Sequence, residues 1–261
     1  MLSSSEANCT VIYDDKSAIL IDAGIGVKLL NAKLLDKLPK GHKISHILIT
    51  HEHGDHIKGI GPIWSKHKSK VWVHQISMEK RAKYFERIPK KTLDADYEGY
   101  IEYIEPGVEF EVDNFKVTPF STKHDSAFSV GFLIVHEPTG HKIGYLTDTG
   151  MVSRLMYSKM ESVDTLFIEA DYDELSLSEY LDYDELLKDR IRSSVGHLSN
   201  TQMAEAINKI GPDGLKNVVI GHLSRRTNSP ELVKAELEKT VSKGFAERAL
   251  VAPLEDPIKL E

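Results

Sequence analysis

The chain has 261 residues, 41% of them hydrophobic, with one cysteine and a formal net charge of −7. That length and apolar content suffice for a sizeable core, while the single Cys9 excludes an internal disulfide framework and a thiolate zinc cluster, so any metal must be held by His and carboxylates. The acidic balance opposes broad attraction to nucleic acid but leaves room for a local basic patch or a small anionic substrate.

Apolar runs such as 18–21 and 47–49 fall far short of the roughly 18 to 20 residues of a membrane span. The start, Met1-Leu2-Ser3-Ser4-Ser5-Glu6, has neither the basic opening nor the apolar stretch of a signal peptide, so a cytoplasmic location is expected. Strand-like runs rich in β-branched residues follow at 10–13, 18–22, 44–50, 70–74, 115–120, 130–136, 142–147, 165–169 and 217–221. Apolar residues spaced by three and four predict helices over 27–37, 57–67, 200–210 and 230–243. Asn200 opens the third of these, and Ser229-Pro230-Glu231 places Pro in the first turn of the fourth.

Two segments depart from this rhythm and are expected to leave the core. The stretch 78–105 is polar and Tyr-rich, and gathers Lys80, Arg81, Lys83, Arg87, Lys90 and Lys91. Interleaved with Tyr84 and Phe85, these cations could track a nucleic-acid backbone and stack a base. The stretch 170–192 carries Asp171, Asp173, Glu174, Glu179, Asp182, Asp184, Glu185 and Asp189 and is expected as an exposed acidic helix and loop. No low-complexity linker divides the chain, which is expected to form a single domain over 1–261.

The chemistry concentrates where the apolar run Ile47-Leu48-Ile49-Thr50 delivers the chain into His51-Glu52-His53-Gly54-Asp55-His56. A loop at the C-terminal end of a buried strand is where open α/β sheets place their chemistry. Two histidines two residues apart are ordinary on a surface, but four ligand types within six residues are not. His51 and His53 share a side of an extended segment and can converge on one ion, while Asp55 and His56 turn toward a second.

The run Thr50 to His56 resembles the signature of the metallo-β-lactamase superfamily, whose fold is an α/β four-layer αββα sandwich with a two-metal site at one edge of its sheets. Further landmarks occur in order: Asp22 in Leu20-Ile21-Asp22-Ala23-Gly24, His124 in Lys123-His124-Asp125, Asp148 in Leu146-Thr147-Asp148-Thr149-Gly150, and His222 in Ile220-Gly221-His222-Leu223-Ser224. The resemblance implies one ion on His51, His53 and His124 and another on Asp55, His56 and His222, with Asp148 between them. Asp55 would also orient the attacking water, and Asp22 would support a ligand His from behind. Two divalent ions, Zn²⁺ ahead of Mn²⁺, are the implied cofactors.

His197 in Gly196-His197-Leu198-Ser199-Asn200 is similar to a histidine of the phosphodiesterase branches, including the ribonuclease Z group, that helps the leaving oxygen. Phe167-Ile168-Glu169-Ala170 resembles a His-Glu-Ala-Thr element of that group with Ile168 replacing His, and implies that Glu169 orients His197. The YycJ (WalJ) group of DNA-processing nucleases is similar through 5–10, 196–200, 221–224 and 228–232, although Glu6 and Ala7 replace expected glycines. Phage anti-Pycsar enzymes, which degrade cyclic nucleotides, are the alternative likeness, and a non-catalytic metal- or nucleic-acid-binding module is the remote one. Ser199, Ser224 and Arg225 are the expected substrate contacts, with Arg226 beside them, Arg being suited to bidentate grip on phosphate. The expected partner is a nucleotide or nucleic-acid phosphodiester, without a membrane, and a homodimer is compatible with the sequence.

Overall fold

The computed structural model describes residues 7–39, 41–89 and 99–252. Its strands are β1 (Thr10–Tyr13), β2 (Ala18–Ile21), β3 (Ile44–Leu48), β4 (Lys70–Val73), β5 (Ile101–Tyr103), β6 (Phe110–Val112), β7 (Phe115–Ser121), β8 (Val130–His136), β9 (His141–Leu146), β10 (Thr165–Glu169), β11 (Asn217–Gly221) and β12 (Leu250–Val251). They form a five-stranded sheet in the order β1-β2-β3-β4-β5 and a seven-stranded sheet in the order β12-β11-β10-β9-β8-β7-β6. From β2 to β5 and from β9 to β12 neighbouring strands are parallel. Parallel strands covered on both faces require apolar residues at every position, which accounts for the unbroken runs at β2 and β10.

Alternation along these strands sorts the core into layers. In β2, Ala18 and Leu20 pack with Leu30, Ile57, Ile60 and Ile63 of the helical face, whereas Ile19 and Ile21 face the other sheet. In β10 and β11, Leu166, Ile168, Val218 and Ile220 pack with Met160, Met203, Ile207 and Leu237 of the opposite helices, whereas Phe167 and Val219 face inward. Helix, sheet, sheet and helix therefore stack over three apolar layers, the αββα sandwich expected. Between the sheets, Val130 N–H donates to the Thr50 carbonyl at 3.0 Å, and the hydroxyls of Thr10 and Tyr145 meet at 3.2 Å.

The helices differ from expectation in instructive places. The helix expected over 27–37 is a continuous run of an α turn (Val27–Leu29), a π turn (Leu30–Leu34) and a 3₁₀ turn (Leu35–Lys37), which buries Leu30 and Leu34. The one expected over 57–67 is broken into Gly54–Ile57 and Ile60–His67. The break falls at Gly59, whose N–H donates to the Ala23 carbonyl at 2.8 Å and where a Cβ would lie 1.8 Å from the Ile25 carbonyl oxygen. Helices Gln75–Lys80, Arg154–Met160 and Lys243–Arg248 and strands β5, β6 and β12 carried too few periodic residues to be read.

In the basic stretch, Met78, Phe85 and Ile88 belong to the core beneath the first sheet. Phe85 is fully buried, so it cannot stack a base, and that expectation is corrected: its ring serves packing. Lys90 and Lys91 lie outside the described residues.

The segment before β1 and the loop after β2 both touch the run His51 to His56 directly. Asn8 N–H donates to the Asp55 carbonyl at 2.9 Å, Ala23 N–H to the His56 carbonyl at 2.6 Å, and a Cβ on Gly24 would fall 1.5 Å from the Asp55 carbonyl oxygen. Overpacking of that kind typically costs about 1–3 kcal/mol or more. Gly24→Ala is therefore expected to lower the denaturation midpoint and metal content together; an unchanged midpoint would show that the two loops are not locked to each other.

Candidate metal centre

Each strand of the facing edge hands one or two polar groups to a common point. β2 ends at Asp22, β3 leads through Ile49 and Thr50 to His51, and β7 leads to His124. β9 leads to Asp148, β10 ends at Glu169, and β11 ends at His222. Asp22, Asp148 and His222 adopt positive φ angles of 59°, 52° and 56°, a region that non-glycine residues rarely occupy and that clusters at functional sites.

Ligand atoms of His51, His53 and His124 lie within 4.8 Å of one another, as do those of Asp55, His56 and His222. Asp148 groups with His51 and His56, one from each set. Its Oδ1 is 3.2 Å from His222 Nε2, 3.7 Å from His124 Nε2 and 3.9 Å from His51 Nε2, and its Oδ2 is 3.5 Å from His56 Nε2. Asp55 Oδ2 is 3.0 Å from His56 Nε2 and 3.8 Å from His222 Nε2.

The hydrogen bonds behind these rings fix which nitrogen faces the centre. Thr50 donates its hydroxyl hydrogen to Asp22 at 2.9–3.0 Å, so at its 3.1 Å contact with His51 Nδ1 it must accept. His51 Nε2 is then left as a lone pair, fully buried and with no hydrogen-bond partner. His124 Nδ1–H donates to the Gly196 carbonyl at 3.1 Å, which leaves Nε2 as a lone pair 3.1 Å from His53 Nδ1. His56 Nδ1–H donates to Asp22 Oδ2 at 2.8 Å, which turns Nε2 inward. A histidine whose outer nitrogen is held by a carboxylate or carbonyl is the arrangement found behind metal-ligating rings. Converging lone pairs in a buried space need a cation between them, and the donor set fits divalent ions.

The charges are distributed accordingly. Burial, aided by the charges of neighbouring histidines, pushes His51 far down, and burial pushes His124 down to about 4, so both rings are neutral as ligands must be. Burial opposes protonation of His56 and His222 too, but Asp148 and the other facing carboxylates outweigh it and raise both, so a cation bound there would have to displace those protons. Asp148 itself is held far below the usual carboxylate range, because the charges of His222 and His56 outweigh its burial.

Around this centre stand residues with other tasks. Glu169 is fully buried; its Oε1 accepts the Thr149 N–H at 2.6 Å and its Oε2 contacts His197 Nδ1 at 3.0 Å. The His197 ring sits 4.9 Å from that of His124 and 5.0 Å from that of His222. Ser224, Arg225 and His197 line one cleft, together with Arg226 and Arg190. Ser199 does not belong there, and the expected substrate contact is corrected. Its side chain is fully buried, its hydroxyl accepts the Gln202 N–H, and it caps the helix Asn200–Ile210.

Asn8 and Asp171 were missed. Asn8 Nδ2 donates to Asp55 Oδ2 at 3.0 Å and lies 3.0 Å from His56 Nε2; its sequence signal is its place in the stretch 5–10, with nothing there to set it apart as a contact of Asp55. Asp171 reads as part of an exposed acidic run but is buried, with Oδ1 3.6 Å from His222 Nδ1. Charge density hid it. Its position is set by Asp171 N–H donating to the Leu198 carbonyl at 2.9 Å and Ser224 N–H to its own carbonyl at 2.8 Å, which continue the edge where β10 ends.

Two facing sheets with His and Asp clusters at their strand ends define a metallo-β-lactamase fold. Residues 17–222 match the family model of the beta-lactamase superfamily domain, and the chain belongs to that family. The exodeoxyribonuclease WalJ of Streptococcus pneumoniae is 29% identical over 89% of this chain and 83% of its own length. The exodeoxyribonuclease YycJ of Bacillus anthracis is 28% identical over 94% of this chain and 89% of its own. Among solved structures, the metallo-β-lactamase fold protein YhfI from Bacillus subtilis superposes with a TM-score of 0.67 at 17% identity, covering 97% of this chain and 90% of its own. The short form of human tRNase Z gives 0.64 at 19% identity, covering 98% and 92%. No described helix is long and apolar enough to cross a membrane.

Asp148→Ala is expected to abolish metal occupancy and activity together; retention of two ions per chain by elemental analysis would displace Asp148 from the centre. Asp22→Asn, which removes only the carboxylate behind His56, is expected to weaken metal affinity by about 10- to 100-fold, measurable by competition with a chromogenic chelator.

Proposed function

We propose that the chain is a metal-dependent phosphodiesterase that hydrolyses nucleic acid, with exonucleolytic cleavage of DNA as its activity. The observation that carries the proposal is the setting of His197, an imidazole backed by buried Glu169, flanking both ligand clusters and opening onto a cleft lined by arginines. The naming of the WalJ and YycJ relatives as exodeoxyribonucleases supports DNA as the substrate.

His51, His53 and His124 would hold one ion and Asp55, His56 and His222 the other, with Asp148 shared; Zn²⁺ suits the imidazoles and Mn²⁺ the carboxylates. When bound, the ions supply charge for the phosphoryl oxygens and lower the pKa of water. Asp55, whose side chain is partly open to solvent, is placed to accept a proton from an attacking water.

His197 supplies what remains. A departing sugar oxygen needs a proton, and the Nδ1–H of the imidazolium is held by Glu169, so Nε2–H is the one available to give. Burial disfavours the imidazolium, but the carboxylates of Asp171 and Glu169 outweigh it and raise His197 to about 9, which favours the proton-carrying form. Bound cations would lower this value. Activity that depends on His197 as an acid is present below its pKa and lost as pH rises through it.

His197→Ala is expected to keep its metal while the rate on DNA falls about 10²- to 10⁴-fold, and the alkaline decline of kcat should disappear with it. Unchanged specific activity per bound ion would remove His197 from the reaction. A panel of linear DNA, RNA and 3′,5′-cyclic mononucleotides, run with Zn²⁺ or Mn²⁺, tests the substrate: turnover of DNA is expected, and turnover of the cyclic compounds alone would discard the nuclease assignment.

A further inference from the structure

The cleft beside His197 encloses about 280 Å³. That is near the lower end of small-ligand sites, roughly 300–1,000 Å³, room for one nucleotide unit. Three guanidiniums, those of Arg190, Arg225 and Arg226, open onto it in a chain whose net charge is −7. Of the two carboxylates in the lining, Asp125 is paired with Arg190 Nε, and Asp171 is turned toward His222 Nδ1 at 3.6 Å.

Two of the arginines are held in place from across the cleft. Arg190, on the helix Glu185–Arg192, is fixed by Asp125, the neighbour of ligand His124; Arg226, on the loop after β11, donates through Nη1 to the Tyr180 hydroxyl at 2.9 Å. Asp125 Oδ1 lies 3.5 Å from His124 Nε2, so the Arg190 guanidinium stands off the ligand cluster by the width of a carboxylate. It lines the same cleft as His197, the proton donor proposed for the group that leaves. Tyr183 also lines the cleft, its ring in T-shaped contact with that of Tyr180 at 4.6 Å.

We propose that this cleft is a subsite for the leaving-group nucleoside and the phosphate beyond it, with Arg190 and Arg226 gripping that second phosphate. The preferred substrate is then a strand with at least two phosphates, since a cyclic mononucleotide leaves the arginines with nothing to bind. The assignment rests on the phosphodiesterase proposal above.

Three thymidine substrates test it in the metal-loaded enzyme: the dinucleoside monophosphate, and the same compound with a phosphate added at its 5′ end or at its 3′ end. One of the added phosphates is expected to raise kcat/KM by about 10- to 100-fold, the scale of charge-assisted hydrogen bonds. In an Arg190→Ala, Arg226→Ala enzyme that advantage should shrink to about twofold, and the Lys replacements should restore part of it. The salt dependence of kcat/KM on the favoured substrate should flatten by about one phosphate contact.

Cleavage of all three substrates at rates within about twofold in the unaltered enzyme would overturn the subsite while leaving the phosphodiesterase in place. Persistence of the advantage in the double variant would overturn the roles of the two arginines. Faster turnover of cyclic thymidine monophosphate than of either added-phosphate compound would overturn the proposed substrate class. Failure to cleave any phosphodiester, bis(p-nitrophenyl) phosphate included, would remove both proposals.

Discussion

The carboxylate of Asp148 is the fixed point of the molecule. Ring nitrogens of His222, His56, His124 and His51 surround it at 3.2–3.9 Å, all in space that solvent scarcely reaches. A lone buried carboxylate would take up a proton, and lone buried imidazoles would stay neutral. Packed together they divide the charge: His56 and His222 are driven toward the cation, His51 and His124 stay neutral, and Asp148 stays ionised. Such a cluster needs its outer atoms tied down, and Thr50, Asp22 and the Gly196 carbonyl do so for His51, His56 and His124.

Holding the cluster shapes the backbone as much as the side chains. Asp22, Asp148 and His222 each follow a parallel strand and each turn the chain through the left-handed region, which costs a non-glycine residue on the order of 1–3 kcal/mol. Glycine would remove that cost but also the functional group. The strain persists because neighbours hold the turns in place: Asp22 N–H donates to Leu48 at 2.8 Å, Thr149 N–H to Glu169 at 2.6 Å, and Ala170 N–H to Gly221 at 3.0 Å. Glu169 thereby links the Asp148 turn to His197, so the same carboxylate shapes the centre and holds the His197 ring.

Most of the cluster was legible because its His and Asp side chains sit on short loops directly after apolar strands, where the apolar run gives way to a dense polar one. His51 to His56, His124, Asp148 and His222 stand out against such flanks. Asn8 did not, since one amide before a strand has no pattern, and its contact with Asp55 depends on a loop 47 residues away. Asp171 failed for the opposite reason, being one carboxylate among many. The hydroxyl of Ser199 was read as a substrate contact when the helix it begins requires it as a cap. β5, β6 and β12 have two or three residues each, too few to show alternation, and exist because longer neighbours offer an edge.

The segment 170–192 shows why composition misleads where side chains divide by direction. Its carboxylates make it acidic in sum, yet Asp171 is turned inward to His222 and Arg190 onto the cleft, while the caps Asp173 and Asp184 satisfy the helices that carry them. Exposed arginines and a buried polar cluster also answer different physical demands. Discrimination among protonation states needs a low dielectric, where Asp148 and its histidines act on one another strongly. A cation that is to meet a charged ligand must be reachable from solvent, and Arg190, more than half exposed beside Asp125, is. A net charge of −7 and an arginine-lined cleft are therefore compatible, because the excess acid is spread over the surface while the cations are gathered beside the chemistry.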